Sequence, residues 1–199
     1  MFLHPLGDGV GLGPLEPWHA EEFARSVADA REHLAPWTPF AHTVVDVTTA
    51  RAFLQRFADS HAADTRHLCG LWRAGRLVGG VMFPVFDARS GVCEIGVWLS
   101  PQEQGHGLMT AAARRLIDWA VRERGMARVE WRTDVRNARS RAIAERLGMA
   151  YEGVLRSSHV VNGERQDCTV FAVLADDWRA DSIVDTDVHS TVDRAAGPN

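Results

Sequence analysis

Residues 94–110 constrain this chain more than any other stretch, because an apolar strand there runs through a glycine-bearing turn straight into a helix. Val92–Leu99 (VCEIGVWL) is the strongest strand pattern in the sequence. The turn after it carries Gly105 and Gly107 around His106. Met109, Ala112, Ala113, Leu116, Ala120 and Val121 then recur at helical spacing over 108–124, until Gly125 stops the run. The turn holds neither Lys nor Arg. An anion bound there must be held by backbone N–H groups, which glycine lets approach closely and to which a helix start adds roughly half a positive charge. The pattern is not a dinucleotide-binding GxGxxG, since Thr110 stands where the third glycine belongs, and it lacks the GK[ST] of a P-loop.

Around this segment the periodicities alternate. Pro17 suits the first turn of a helix reaching about His33, with Glu21 and Glu22 early in it, and the prolines at 36 and 39 break it. Thr48 or Thr49 is the expected N-cap of a second helix through Phe53, Leu54 and Phe57. Residues 67–73 and 76–85 read as strands joined at Ala74-Gly75, residues 129–133 as a half-buried strand, and 140–147 as a short helix ended by Gly148. Asn162-Gly163 signals a hairpin between strands at 155–161 and 164–174. The predicted order is ααβββαβαββ, one mixed α/β (α+β) domain over residues 1–178. An acidic tail, 179–199, is expected to be solvated and partly disordered.

Charge and composition exclude several classes. All 22 basic residues are Arg, so no lysine exists for a Schiff base or a P-loop. Residues 176–199 hold six Asp against two Arg, which accounts for the formal net charge of −4 and leaves the body neutral. A neutral body argues against a nucleic-acid partner. No apolar run reaches the roughly 18 residues of a membrane span, and MFLHPLGDGVGLG lacks the features of a secretory signal. Cys69, Cys93 and Cys168 have neither metal-ligand nor disulfide-framework spacing. These features predict a cytoplasmic protein with no metal.

Gln102-Glu-Gln-Gly105-His-Gly107 resembles the acyl-CoA-binding motif [QR]-x-x-G-x-[GA] of the GNAT superfamily of N-acetyltransferases. The likeness is closest to the RimJ/RimL branch. It continues through Leu-Ser-Pro before the motif, Gly-Leu-Met-Thr-Ala-Ala after it, RNARSRAIAERLGM at 136–149, YEGVLR at 151–156, the Asn-Gly hairpin, Asp167 and Asp177-Trp178, and so covers about residues 10–178. The resemblance implies a GNAT fold, a mixed, mostly antiparallel sheet splayed around acyl-CoA and flanked by helices. It implies acetyl-CoA as co-substrate, with succinyl-CoA as an alternative donor, and direct attack by a primary amine, either a protein N-terminal α-amine or a small amine. A homodimer is implied too, with the C-terminal hairpin a candidate interface.

Direct attack needs a neutral amine, a polarised carbonyl and a protonated leaving thiolate. The resemblance implies that Asn137 holds the pantetheine amide and that Ser140 donates to the thiolate; by residue type the two also suit a turn and a helix N-cap. Glu94, in an otherwise apolar strand, should have a raised pKa or face a polar cleft, and is the first candidate base; a salt-bridged edge position is the alternative. Asp167 is the second candidate, with pairing to an Arg such as Arg156 as its structural alternative. The backbones of Val97, Trp98 and Leu99 would pair with pantetheine. Gln104, Gly105, His106, Gly107, Leu108, Met109 and Thr110 would cradle the pyrophosphate. Arg141, with Arg136 and Arg139, would lie near the CoA phosphates, and Trp37 and Trp131 would line the acceptor channel. A non-catalytic acyl-CoA sensor is the rival reading, and the joint presence of Glu94, Asn137 and Ser140 favours catalysis.

Overall fold

The computed structural model describes residues 3–178, so the predicted acidic tail at 179–199 lies outside the described residues. Eight strands form one sheet: β1 (His4–Gly7), β2 (Val10–Pro14), β3 (His67–Arg73), β4 (Arg76–Asp87), β5 (Val92–Leu99), β6 (Arg128–Asp134), β7 (Ala150–Val161) and β8 (Glu164–Leu174). Their spatial order is β1-β2-β3-β4-β5-β6-β8-β7. Every pairing is antiparallel except β5–β6, which a helical crossover must join. That crossover is α4 (Leu108–Asp118), continued by a π-helical turn at Trp119–Glu123. The remaining helices are α1 (Ala20–Leu34), α2 (Phe40–Thr43), α3 (Val47–Ala62) and α5 (Ala138–Arg146).

Most predicted elements are present, with three corrections. The first third is not wholly helical: β1 and β2 precede α1, joined at Asp8 and Gly9, which both have positive φ (50° and 72°). These short strands hold their place by pairing, VGLGP with β3 and HPLG with VGLGP, rather than by propensity. Secondly, α3 is capped by Asp46. Its carboxylate accepts the Thr49 N–H at 2.7 Å while the Thr49 hydroxyl accepts the Asp46 N–H at 3.0 Å, so Thr49 is the reciprocal member of a capping box and not the cap. Thirdly, α5 starts at Ala138 with Asn137 as its N-cap, two residues before the predicted Ser140.

The sheet separates two cores. On one face Ile95, Val129, Trp131 and Phe171 pack with Leu116 and Ile117 of α4. On the other, Phe23, Phe40, Phe53 and Leu54 of α1–α3 pack with Trp72 and Trp98. Alternation along β5 therefore sends Ile95 and Val97 one way and Trp98 the other. At the end of the described chain, the Trp178 indole N–H donates to Asp118 at 2.8 Å and the Arg114 guanidinium lies 5.1 Å from the Trp178 ring. No helix among the described residues is long and apolar enough to cross a membrane.

Trp98 requires glycine on its neighbour strand. Its ring centroid lies 5.5 Å from that of Phe40 and 6.1 Å from that of Phe23, and a Cβ built on Gly80 would stand 1.9 Å from the indole. Gly80→Ala must displace the ring from this aromatic cluster, at a cost of about 1–3 kcal/mol by the usual penalty for overpacking. Urea unfolding checks this: a midpoint unchanged from the parent's would contradict the packing described.

Candidate active site

The β5–β6 ladder is short. It pairs Val92 with Arg128 through Ile95 with Trp131 and then stops, although β5 continues to Leu99 and β6 to Asp134. Beyond that point residues 96–99 pair only with β4, and residues 132–134 only with β8. Each strand thus turns an edge of unpaired backbone groups toward a wedge-shaped opening, and such groups call for a partner.

At the mouth of the wedge, a 3-10 turn (Pro101–Glu103) leads to Gln104, Gly105, His106 and Gly107. Gly107 is the N-cap of α4, with φ 71°, and Gly105 has φ 89°; neither conformation suits a residue with a side chain. A Cβ at either position would meet nothing within 4 Å, so both glycines border open space. The first bond into α4 runs from Ala111 N–H to the Gly107 carbonyl at 3.0 Å, and no side chain caps the helix. Among the described residues the N–H groups of Leu108, Met109 and Thr110 therefore have no acceptor. Three donors at a helix start, with no side-chain carboxylate capping them, suit a polyanion.

Two long-range contacts hold this loop. Arg73 donates from Nε (3.1 Å) and Nη2 (2.8 Å) to one carboxylate oxygen of Glu103. Gln104 Nε2 lies 2.7 Å from His33 Nε2 at the end of α1, and burial, with Arg139 nearby, holds the His33 pKa below its ordinary value. A neutral His33 ring can accept the Gln104 amide proton. Neither Arg73 nor His33 was singled out from the sequence, because the partners lie 30 and 71 residues away and leave no local pattern. The His106 side chain is exposed, consistent with a contribution through its backbone.

On the far side of the wedge, Asn137 Oδ1 accepts the Ser140 N–H at 3.1 Å, and the Trp131 indole N–H donates to Ser140 Oγ at 3.0 Å. Trp131 was expected in an acceptor channel; it is buried in the α4-side core and holds the serine instead. With one lone pair engaged by an N–H donor, the Ser140 hydroxyl proton remains available for donation.

Glu94 pairs in register with Glu130, so both project from the face opposite Trp131. Burial raises the Glu94 pKa first, Arg132, with Nε 3.7 Å away, opposes the shift, and Glu130 adds to it. Asp167 is exposed and its Oδ1 accepts the Ser157 N–H at 2.8 Å, where β7 bulges and Ser157 has φ 50°. The anticipated pairing with Arg156 is thus replaced by a backbone contact. Trp37 lines a cleft of about 390 Å3 with Glu32, His42, Asn162 and Glu164. Arg136, also in its wall, is engaged by Asp134 at 2.9 and 2.7 Å. The Arg141 guanidinium donates to the Val135 carbonyl at 3.2 Å while its buried Nε has no partner. Among the described residues no group of His, Cys, Asp and Glu could hold a metal ion.

Residues 10–150 match the acetyltransferase (GNAT) domain family. The chain is 30% identical to a putative ribosomal N-acetyltransferase, YdaF, of Bacillus subtilis, over 91% of this chain and all of that one. It superposes on the crystal structure of a probable acetyltransferase with TM-score 0.80 at 30% identity, covering 87% of this chain and 97% of that one. With RimL, a ribosomal alpha-N-protein acetyltransferase in complex with coenzyme A, the TM-score is 0.81 at 20% identity, covering 87% and 98% of the two chains.

The Glu94 shift has a consequence for stability. Its folded pKa lies above the unfolded value, so the stability linked to its proton is fully present below the unfolded pKa and is lost as pH rises through the folded one. Glu94→Gln removes that loss. Urea unfolding should find the variant more stable than the parent at pH 8, with the gap closing toward pH 4; a variant less stable at pH 8 would show that the Arg132 attraction outweighs burial.

Proposed function

This chain belongs to the GNAT acetyltransferase family and is an N-acetyltransferase; we propose that it moves the acetyl group of acetyl-CoA to a protein N-terminal α-amine by direct attack within the β5–β6 wedge. The observation that carries this reading is the set of acceptor-free N–H groups of Leu108, Met109 and Thr110 at the mouth of that wedge. Gly105, His106 and Gly107 complete the cradle for the pyrophosphate, with Gln104 fixing its edge and Arg141 near the phosphates. The unpaired edge formed by Val97, Trp98 and Leu99 suits the pantetheine amides, and Asn137 offers its free side-chain amide N–H to the same arm.

The chain's own groups then meet the three demands of the reaction. Glu94, its proton affinity raised by burial, draws a proton from the amine through water. An α-amine, with a pKa of about 8, needs only this modest help. Ser140, polarised by Trp131, passes its proton to the departing thiolate and takes up the one that the attacking nitrogen sheds as the amide forms. Glu94 and Ser140 lie on opposite faces of the sheet, and the wedge is where a thioester can be reached from both. Asp167 stands as second candidate base, through whichever carboxylate oxygen the Ser157 N–H leaves free. The cleft bearing Trp37 is the entry for the acceptor. A ribosomal protein acceptor is supported by the relatives' names. The carboxylates of Glu32 and Glu164 in that cleft support a second reading, a cationic small amine. Exposed Tyr151, Val154, Leu155 and Val160 along the edge strand β7 support a homodimer through the C-terminal hairpin.

Thiol release with acetyl-CoA or succinyl-CoA, against N-terminal peptides and small amines, tests the donor and acceptor together. Turnover with acetyl-CoA and peptides is the expected result; binding of CoA with no turnover on any amine would favour the sensor reading. Ser140→Ala should lower kcat about 100-fold, the usual scale of lost general-acid help, with KM for acetyl-CoA little changed. Trp131→Phe should produce a smaller loss of the same kind. Gly107→Val should weaken coenzyme A binding about tenfold or more in calorimetry; undiminished affinity would remove the cradle from the account.

A further inference from the structure

A second cavity, of about 450 Å3, lies away from the wedge, between the C-terminal half of α3, the strands β2–β4 and the far end of α4. It is of ligand size. Its walls are aromatic: Phe57, Phe83 and Trp119, with the Phe83 and Trp119 rings stacked at 6.0 Å. Trp119 opens the π-helical turn, where Arg124 N–H reaches the Trp119 carbonyl. π-Turns are rare and gather at functional sites.

Besides the polar and charged lining residues His4, Glu16, Arg115 and Glu123, this cavity holds a histidine pair whose tautomers can be assigned. His61 Nδ1 and His67 Nδ1 are 2.8 Å apart, so one donates and the other accepts. His67 is 6% exposed, and burial with His61 beside it pushes its pKa down to about 4, so its ring is neutral with a single N–H. Its Nε2 lies 3.3 Å from an Asp64 carboxylate oxygen, off the line of a good hydrogen bond. A bare lone pair there would face an anion, so Nε2 carries the proton and Nδ1 accepts. Asp64 is itself fixed by Arg124 at 2.5 Å. His61 then donates from Nδ1, and in the neutral form of its ring Nε2 is a lone pair with no partner among the described residues.

We propose that this cavity is a second ligand site, distinct from the wedge, for a small planar aromatic molecule bearing one hydrogen-bond donor, of the indole or phenol type. The ring lies against Phe57 and Trp119, and the donor meets His61 Nε2. The cavity does not serve nucleophilic chemistry through Cys69, which also lines it, because burial pushes that thiol up to about 11.

The test is a ligand-observed NMR titration of the full chain with indole, with and without saturating coenzyme A. Expected are saturable binding, the same affinity with coenzyme A present, and affinity for 1-methylindole about fivefold to tenfold weaker, since that probe lacks the donor. Ala58→Trp, which fills the cavity from a half-buried wall position, should weaken indole binding at least about tenfold. Absence of saturable binding, displacement by coenzyme A, or equal affinity for the two probes would each overturn the proposal. The probe comparison uses the parent protein and stands even if Ala58→Trp fails to fold.

Discussion

The parting of β5 from β6 after Ile95 and Trp131 is the constraint on which the rest of the molecule depends. A parallel pair in an otherwise antiparallel sheet needs a crossover, and α4 provides it. Because the crossover leaves β5 through a glycine turn, the helix start is delivered to the mouth of the opening, with its donors directed outward. A sheet paired along its full length would satisfy these backbone groups internally and leave nothing for a ligand to join. The two cores, one on each face, keep the strands rigid up to the point of separation.

The contacts that shape the site come from parts of the chain distant in sequence. Glu103 is anchored by Arg73 from the β3–β4 hairpin, and Gln104 meets His33 from α1, so the loop's placement depends on both the strands and the α1–α3 layer. Ser140 is positioned twice, its backbone by Asn137 and its hydroxyl by Trp131. A serine held this way sheds rotamer freedom before any reaction begins, which is what positioning for proton transfer requires. The same reasoning separates Asp167 from Glu94. The first makes a backbone contact at an exposed bulge, whereas the second sits half-buried among charges that set its proton affinity.

Much of this was legible in the sequence where signals are local. Strand β5, the glycine turn, α4 and the Asn162-Gly163 hairpin follow from periodicity and turn chemistry, and Asn162 and Gly163 do adopt positive φ. The N-terminal hairpin was missed although Asp8-Gly9 is itself a turn signal, because its strands are too short and glycine-rich to alternate clearly. The caps at Asp46 and Asn137 were misassigned by two or three residues, since Thr and Ser beside a helix start are as cap-like as the true cap. The Trp131–Ser140 bond and the His61–His67 pair were not legible at all. They arise only when the sheet order brings separate elements together, and an apolar or aromatic residue gives no sign of which face it will take.

Backbone donors at the start of α4 and along the outer part of β5 are proposed to hold the co-substrate. Backbone amide NMR during a coenzyme A titration tests this most directly. The largest shifts are expected at Gly105–Thr110 and Val97–Leu99, with smaller ones at Asn137 and Ser140. Shifts concentrated instead at Phe57, His61 and Trp119, or absent from the turn of Gly105 and Gly107, would contradict this.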